Sequence, residues 1–406
     1  MTKKFEAFSP EAQKRLAKEA ADYQKRIPNI EGRPDLFETK ILRLQREGAA
    51  TENEKKLLVA ARDPGSGSAL TPVLKELAGD EEMQIDIIAD GRAQEIVQKN
   101  FLTKDITPPG MVLEADNVIG TPDVILMDRS CETGIDSYVT ATFPEAPKIL
   151  VEDYYLNTPD FLAELKKRDL PLPEKICVMD EGAKELIVKR FPDLESRIEI
   201  TGQPAFDKFA HEDTKKISQE VRQKLNLSPE DKLVSFMSTK DEPAKIKKMA
   251  EALKKLGDDF YFIFRRHPRD NTSYETYKQI FVEAGIKIID TDEFTTDEIG
   301  AASDVVLTTW STEGLKGIYR RKPTAHITDH NFRIPEDIEL PLVPVKLGAS
   351  VGIDNMDELI EILPQLLDQK SPLNHSLKEK MEKNYQADGN NAKRVADIVR
   401  EYLTKK

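Results

Sequence analysis

From Lys56 onward the chain alternates short unbroken apolar runs with longer amphipathic stretches. The runs are LLVAA at 57–61, IDII at 85–88, DVILM at 123–127, KILV at 148–151 and KICVM at 175–179. Runs of this length without strict alternation suit strands covered on both faces, as in a parallel sheet flanked by helices. A polar stretch at 201–232, containing TGQPAFDKF and HEDTKKISQEVRQKLNLSPED, interrupts the rhythm. It then restarts with LVSFM at 233–237, FYFIF at 260–264, IKII at 286–289, DVVL at 304–307 and TAHI at 324–327. The pattern predicts an α/β protein with two doubly wound parallel sheets and a cleft between them, where the carboxyl ends of strands bind ligand.

The first fifty residues read as two polar helices, one opened by Ser9 and Pro10, the other by a capping box of Asp35 and Glu38 and closed at Gly48. They form a helical appendage that leaves room for a homo-oligomer contact. Leu377–Leu403 reads as helix broken near DGNN at 388–391. The expected division is 1–50 for the appendage, 51–210 and 211–376 for the two sheet domains, and 377–406 for a C-terminal helix returning to the first.

Composition narrows the function. In 406 residues, 60 Lys and Arg stand against 73 Asp and Glu, a net charge of −13. Such a field repels phosphate backbones, so nucleic acid is not an expected partner. No apolar run approaches the roughly 20 residues of a membrane span, and the N-terminus has no apolar signal core, so a cytoplasmic location is expected. Cys131 and Cys177 are too few for a disulfide framework, and no Cys/His spacing suits a metal. Neither a metal nor a cofactor is expected.

Four segments carry candidate chemistry. Arg62, Gly65, Ser66 and Gly67 follow the first strand and precede a helix; the loop is either a phosphate or substrate loop or a plain tight turn. Asp128, Glu152 and Asp153 follow the next strands, as general acid and base or as helix caps and solvated turns. Asp153, beside Tyr154 and Tyr155, is the preferred base, because aromatic neighbours desolvate a carboxylate and raise its pKa. RRHPRDN places His267 and Arg269 at a strand end, as a diphosphate trap or a surface loop. TTWSTEGLK puts Ser311 and Thr312 at a helix start, suited to phosphate binding or to ordinary capping.

In order and spacing these strings resemble the GT-B fold, two Rossmann-like domains, in the branch of UDP-N-acetylglucosamine 2-epimerase and related glycosyl- and glycerophosphotransferases. LLVAARDPGSGSALTPVLKEL, with Arg62 and Pro64, is similar to the family's first strand and turn. ITGQPAFDKF, with Gly202, Pro204 and Asp207, is similar to its interdomain segment, RRHPRDN to its His-Pro turn, and YQADGNNAKRVADIVREYL to its tail. The resemblance implies a glycosyltransferase-like enzyme moving a sugar or related group from a nucleotide-activated donor. A nucleotide-sugar 2-epimerase and a non-catalytic ligand- or partner-binding protein are the alternatives. Donor phosphates would meet Ser311 and Thr312, with His267 and Arg269 nearby. First-domain carboxylates Asp128, Glu152 and Asp153 would be catalytic. Lys316 stands where the family has a ribose-binding Glu; either Glu313 takes that role, or Lys316 meets an extra phosphate or carboxylate on the ligand. FMSTKDEP lacks the epimerase's catalytic His.

Overall fold

The computed structural model describes residues 41–44, 55–80, 82–89, 93, 95–97, 111–114, 121–129, 135–155, 157–239, 241–257, 259–267, 270–291, 293–329 and 342–404. Two units divide the chain: Met1–Asp207 with Asp388–Lys406, and Lys208–Ala387.

Unit 1 is built on an eight-stranded sheet. Its strands are β1 (Ile41–Leu44), β2 (Lys55–Ala61), β3 (Met83–Ala89), β4 (Met111–Glu114), β5 (Val124–Asp128), β6 (Lys148–Val151), β7 (Lys175–Val178) and β8 (Ile198–Ile200). They are ordered β4-β1-β3-β2-β5-β6-β7-β8. The six strands from β3 to β8 in that order are parallel, with Val59 opposite both Ile87 and Leu126. Leu57, Val59 and Ala61 join one core cluster while Leu58 and Ala60 are buried on the other face, which is why β2 reads as an unbroken apolar run. β1 and β4 form an antiparallel edge, β1 pairing with both β3 and β4. Residues 41–44 are therefore strand, not part of the second expected helix: pairing along β3 overrides the local capping signal. The rest of the expected appendage lies outside the described residues.

Helices α1 (Pro64–Leu77), α2 (Ile135–Thr142), α3 (Asn157–Lys167) and α4 (Glu181–Arg190) follow strands of this sheet. Pro64 starts α1, where its missing N–H costs nothing. Asp180 caps α4 by accepting the Ala183 N–H at 2.8 Å.

Unit 2 carries a five-stranded parallel sheet ordered β10-β9-β11-β12-β13. These strands are β9 (Lys232–Met237), β10 (Phe260–Arg265), β11 (Val305–Thr308), β12 (Thr324–Ile327) and β13 (Val351–Ile353). The helices are α5 (Thr214–Lys224), α6 (Pro243–Lys254), α7 (Tyr274–Glu283), α8 (Thr296–Ala302), α9 (Thr312–Tyr319), α10 (Val343–Lys346), α11 (Met356–Leu367) and α12 (Pro372–Asn384). The run IKII is not a full strand: it touches β10 through one bridge, Phe262 to Ile288. Leu233 and Met237 pack with Val221, Ile263 and Ile299 on one side of the sheet. Aromatic contacts join Phe236, Phe264, Tyr277, Phe262 and Phe281.

The last helix, α13 (Asn391–Thr404), belongs to unit 1, while residues 377–387 lie in unit 2. The units meet in sequence at 207/208 and 387/388, against expected boundaries of 210/211 and 376/377. Ala392, Val395, Ala396, Val399 and Leu403 recur at helical spacing and pack into the core containing Ala69, Leu70, Val73 and Leu77 of α1. Val395, Val399 and Leu403 each contribute roughly 1.5–3 kcal/mol by burial, before the entropic cost of ordering.

Candidate active site

In unit 1 four neighbouring strands deliver carboxylates at their carboxyl ends: Asp63 after β2, Asp128 on β5, Glu152 and Asp153 after β6, and Asp180 after β7. The parallel register sets this side by side. The surroundings separate the three carboxylates singled out from the sequence.

Asp128 is 1% exposed, and neither carboxyl oxygen has a hydrogen-bond partner among the described residues. Burial, then the charge of Asp153, raises its pKa well above the ordinary value. Glu152 is likewise buried with both oxygens unpartnered; burial, then the charge of Asp180, pushes it up to about 8. Glu152 is therefore mostly protonated at pH 7, and Asp128 is shifted in the same direction.

Asp153 differs. Its Oδ1 accepts a hydrogen bond from Asn157 Nδ2 at 2.8 Å. Burial raises its pKa to about 6; the Asn157 bond works against that rise and the Asp63 charge adds to it. A group with that pKa is mostly ionised at pH 7 yet basic enough to take a proton, the balance a general base needs. The aromatic neighbours contribute less directly than the sequence suggests. Tyr154 and Tyr155 form a tilted pair at 5.4 Å, and the Tyr155 hydroxyl donates to Asp180 Oδ2 at 2.6 Å.

The loop after β2 has structural duties. The Arg62 N–H donates to Ser66 Oγ at 2.9 Å, and Ser66 Oγ donates to the Asp63 carbonyl at 2.9 Å. The completely buried Ser66 thus closes the turn. A Cβ on Gly67 would lie 2.9 Å from the Ala93 Cα, so this glycine lets α1 pack closely. Gly65 and Asp153 touch, and Arg62 is buried at the foot of the loop.

In unit 2 hydroxyls gather at the ends of the adjacent strands β9 and β11. Thr239 and Thr309 share a hydrogen bond through their hydroxyls, and Thr308 Oγ1 donates to the Met237 carbonyl at 2.8 Å. Asp241 organises the turn after β9: its Oδ2 accepts from Ser238 Oγ at 2.9 Å and from the Thr239 N–H at 3.0 Å. Sequence reasoning missed Asp241 and Thr239; a hydroxyl-rich turn closing an apolar run was the available signal.

Ser311 caps α9, its Oγ accepting the Glu313 N–H at 3.2 Å, and Thr312 is the first residue of the helix. Gly314 lets α9 lie against β12, since a Cβ there would meet His326 Nε2 at 2.7 Å. Burial lowers the His326 pKa to about 4, so the ring is neutral. Lys316 and Glu313 engage each other at 2.7 Å, and Lys316 also pairs with Asp297 at 3.2 Å. Asp297 further meets Lys208 at 2.6 Å and Arg320 at 3.3 Å. Burial would raise the Asp297 pKa, but these cations, Lys316 foremost, hold it below the ordinary range.

His267 follows β10 and is half-buried, while Arg269 lies outside the described residues. Arg265 and Arg266 are spent on backbone carbonyls, donating to Thr291 at 3.0 Å and Thr272 at 2.9 Å respectively. Among the described residues no cluster of His, Cys, Asp and Glu is arranged to hold a metal ion, and no helix is long and apolar enough to cross a membrane.

Residues 153–323 match the family model described as CDP-glycerol:poly(glycerophosphate) glycerophosphotransferase. No curated protein sequence matches the chain. Among solved structures, a UDP-GlcNAc 2-epimerase from Neisseria meningitidis bound to UDP-GlcNAc is similar over 87% of this chain and 100% of its own, with a TM-score of 0.58 at 16% identity. MnaA of S. aureus, solved with UDP, is similar over 86% and 97%, with a TM-score of 0.58 at 14% identity. A glycosyltransferase from Rickettsia africae covers 87% and 100%, with a TM-score of 0.54 at 14% identity. The chain has the GT-B fold.

Proposed function

We propose that this chain is a transferase that moves a sugar or related group, a glycerophosphoryl group foremost, from a nucleotide-activated donor to an acceptor hydroxyl. The observation that carries the reading is the glycerophosphotransferase family match, which begins at Asp153 and runs through the hydroxyl-rich strand ends and α9 to Pro323. In this reading the donor's phosphates sit on unit 2, at the Ser238–Thr239 turn and the start of α9. Hydroxyls and amides there can donate to anionic oxygens. His267 and Arg269 are further donor contacts. Asp153 takes the acceptor proton, with the buried carboxyls of Asp128 and Glu152, both raised in pKa, at the neighbouring strand ends. Arg62 and Gly65 shape the acceptor side. The sequence STKDE at 238–242, after β9, has no His to supply the imidazole of an epimerase, which favours transfer over epimerisation.

Thermal shift with cytidine and uridine nucleotides and their glycerol and sugar conjugates tests this reading. It requires stabilisation by one activated donor above its free nucleotide; no response to any of them counts against it.

A further inference from the structure

We propose that Gln203, held by the N-terminal turn of the last helix, is a positioning residue for Asp153. The inference rests on the reading of Asp153 as the base. Gln203 is 2% exposed. Its Nε2 donates to two successive carbonyls, those of Glu152 and Asp153, each at 3.0 Å. Its Oε1 accepts the Ala205 N–H at 3.2 Å. The amide has one orientation that satisfies all three contacts, since carbonyls require donors and an N–H requires an acceptor. Gln203 therefore fixes the peptide from which the Asp153 side chain departs.

Gln203 is itself held from the other side. Its carbonyl accepts from Asn391 Nδ2 at 3.1 Å, and Arg394 Nε donates to the Thr201 carbonyl at 2.8 Å. The Asp207 carboxylate caps α13 by accepting the N–H groups of Asn391 at 3.0 Å and Ala392 at 2.7 Å. Gly202 has φ +79°, and a Cβ there would fall 2.0 Å from Asn391 Oδ1. Segment 201–207 is thus clamped between α13 and the end of β6. Besides burial, the groups that act on Asp153 are Asn157 on α3, Asp63 after β2 and the Tyr154 backbone N–H, and Asp153 in turn raises Asp128 on β5 and its neighbours Glu152 and Tyr154. The carboxylate is steadied by amides: Asn157 at its own oxygen, and Gln203 through the backbone.

The test is the titration of the Asp153 carboxyl carbon by NMR in the full chain, its signal assigned by its loss in Asp153→Asn. Gln203→Met keeps the volume and removes the donors; Gln203→Asn keeps the amide and withdraws its reach. In both, the midpoint moves from about 6 toward the ordinary aspartate range as the carboxylate relaxes into water. Arg400→Ala, which frees Asp80 at the other end of α13, lowers stability and leaves the midpoint in place. A native midpoint in a folded Gln203 variant, or an equal shift in Arg400→Ala, overturns the proposal. The titration needs no turnover. A responsive Asp153 in a chain that transfers nothing would defeat the transferase reading and leave the positioning role standing.

Discussion

Asp153 lies directly against Gly65: a Cβ on Gly65 would sit 1.9 Å from Asp153 Oδ2. The glycine at the second position of α1 is thus the wall on which the candidate base rests. The turn between β2 and α1 and the end of β6 meet at this contact.

Gly65→Ala should push the carboxylate away and break its bond from Asn157 Nδ2. We expect a stability loss of about 1–3 kcal/mol from overpacking, with a larger loss in turnover than in donor affinity. Urea unfolding beside steady-state kinetics checks both; native turnover in the variant would show that the carboxylate has no need of this wall.

Buried acids make stability depend on pH. Glu152 and Asp153 have folded pKa values raised to about 8 and about 6, so their protonated forms favour the folded state. That contribution is complete below the ordinary carboxylate range and is lost as pH rises through 6 and then 8. For Glu152 the loss at pH 8 is on the order of 4 kcal/mol. Glu152→Gln should therefore gain stability relative to the native chain between pH 5 and pH 8. Denaturant midpoints at the two pH values measure it; an unchanged difference would mean Glu152 is ionised when folded.

Most of the parallel strands were legible because each is buried on both faces and so reads as an uninterrupted apolar run. KILV and TAHI match β6 and β12 residue for residue. The antiparallel edge was not: β1 is four residues, ILRL, set among charges, and only its pairing partners make it a strand. β8 and β13, at three residues each, are too short to stand out. For the site, the sequence placed Asp128, Glu152 and Asp153 at strand ends and preferred Asp153 for its aromatic neighbours, but not for the contacts that separate it from the other two. That separation comes from which oxygens are sealed and which meet Asn157. Gln203 acts from 50 residues away on the Asp153 carbonyl, a distance at which local pattern carries no information.

Ser311→Ala removes the cap on α9. The helix should lose about 1 kcal/mol of stability, and Ser311→Ala with Thr312→Ala should weaken nucleotide binding by about tenfold for each charge-assisted bond lost. Calorimetry on the folded double variant decides; native affinity would place the phosphates elsewhere.

Lys316→Glu should not create a ribose contact. Glu313 and Asp297 both hold Lys316, and a third carboxylate among them replaces two attractions by repulsions. Lys316 is only 20% exposed, so we expect a loss of about 2 kcal/mol or more, and no gain in UDP affinity. Thermal unfolding and UDP titration of the variant test this; tighter UDP binding would mean that the ion-pair network yields to the ligand.

Donor turnover with and without the Asp153 carboxylate tests the central claim most directly. Release of nucleotide from CDP-glycerol and from UDP-sugars is followed in the presence of a polyol acceptor, for the native chain and for Asp153→Asn. The account predicts acceptor-dependent release from one donor, lowered about 10²–10⁴-fold in the variant while donor affinity is kept. Full turnover by Asp153→Asn, or no acceptor-dependent release from any of these donors, would contradict it.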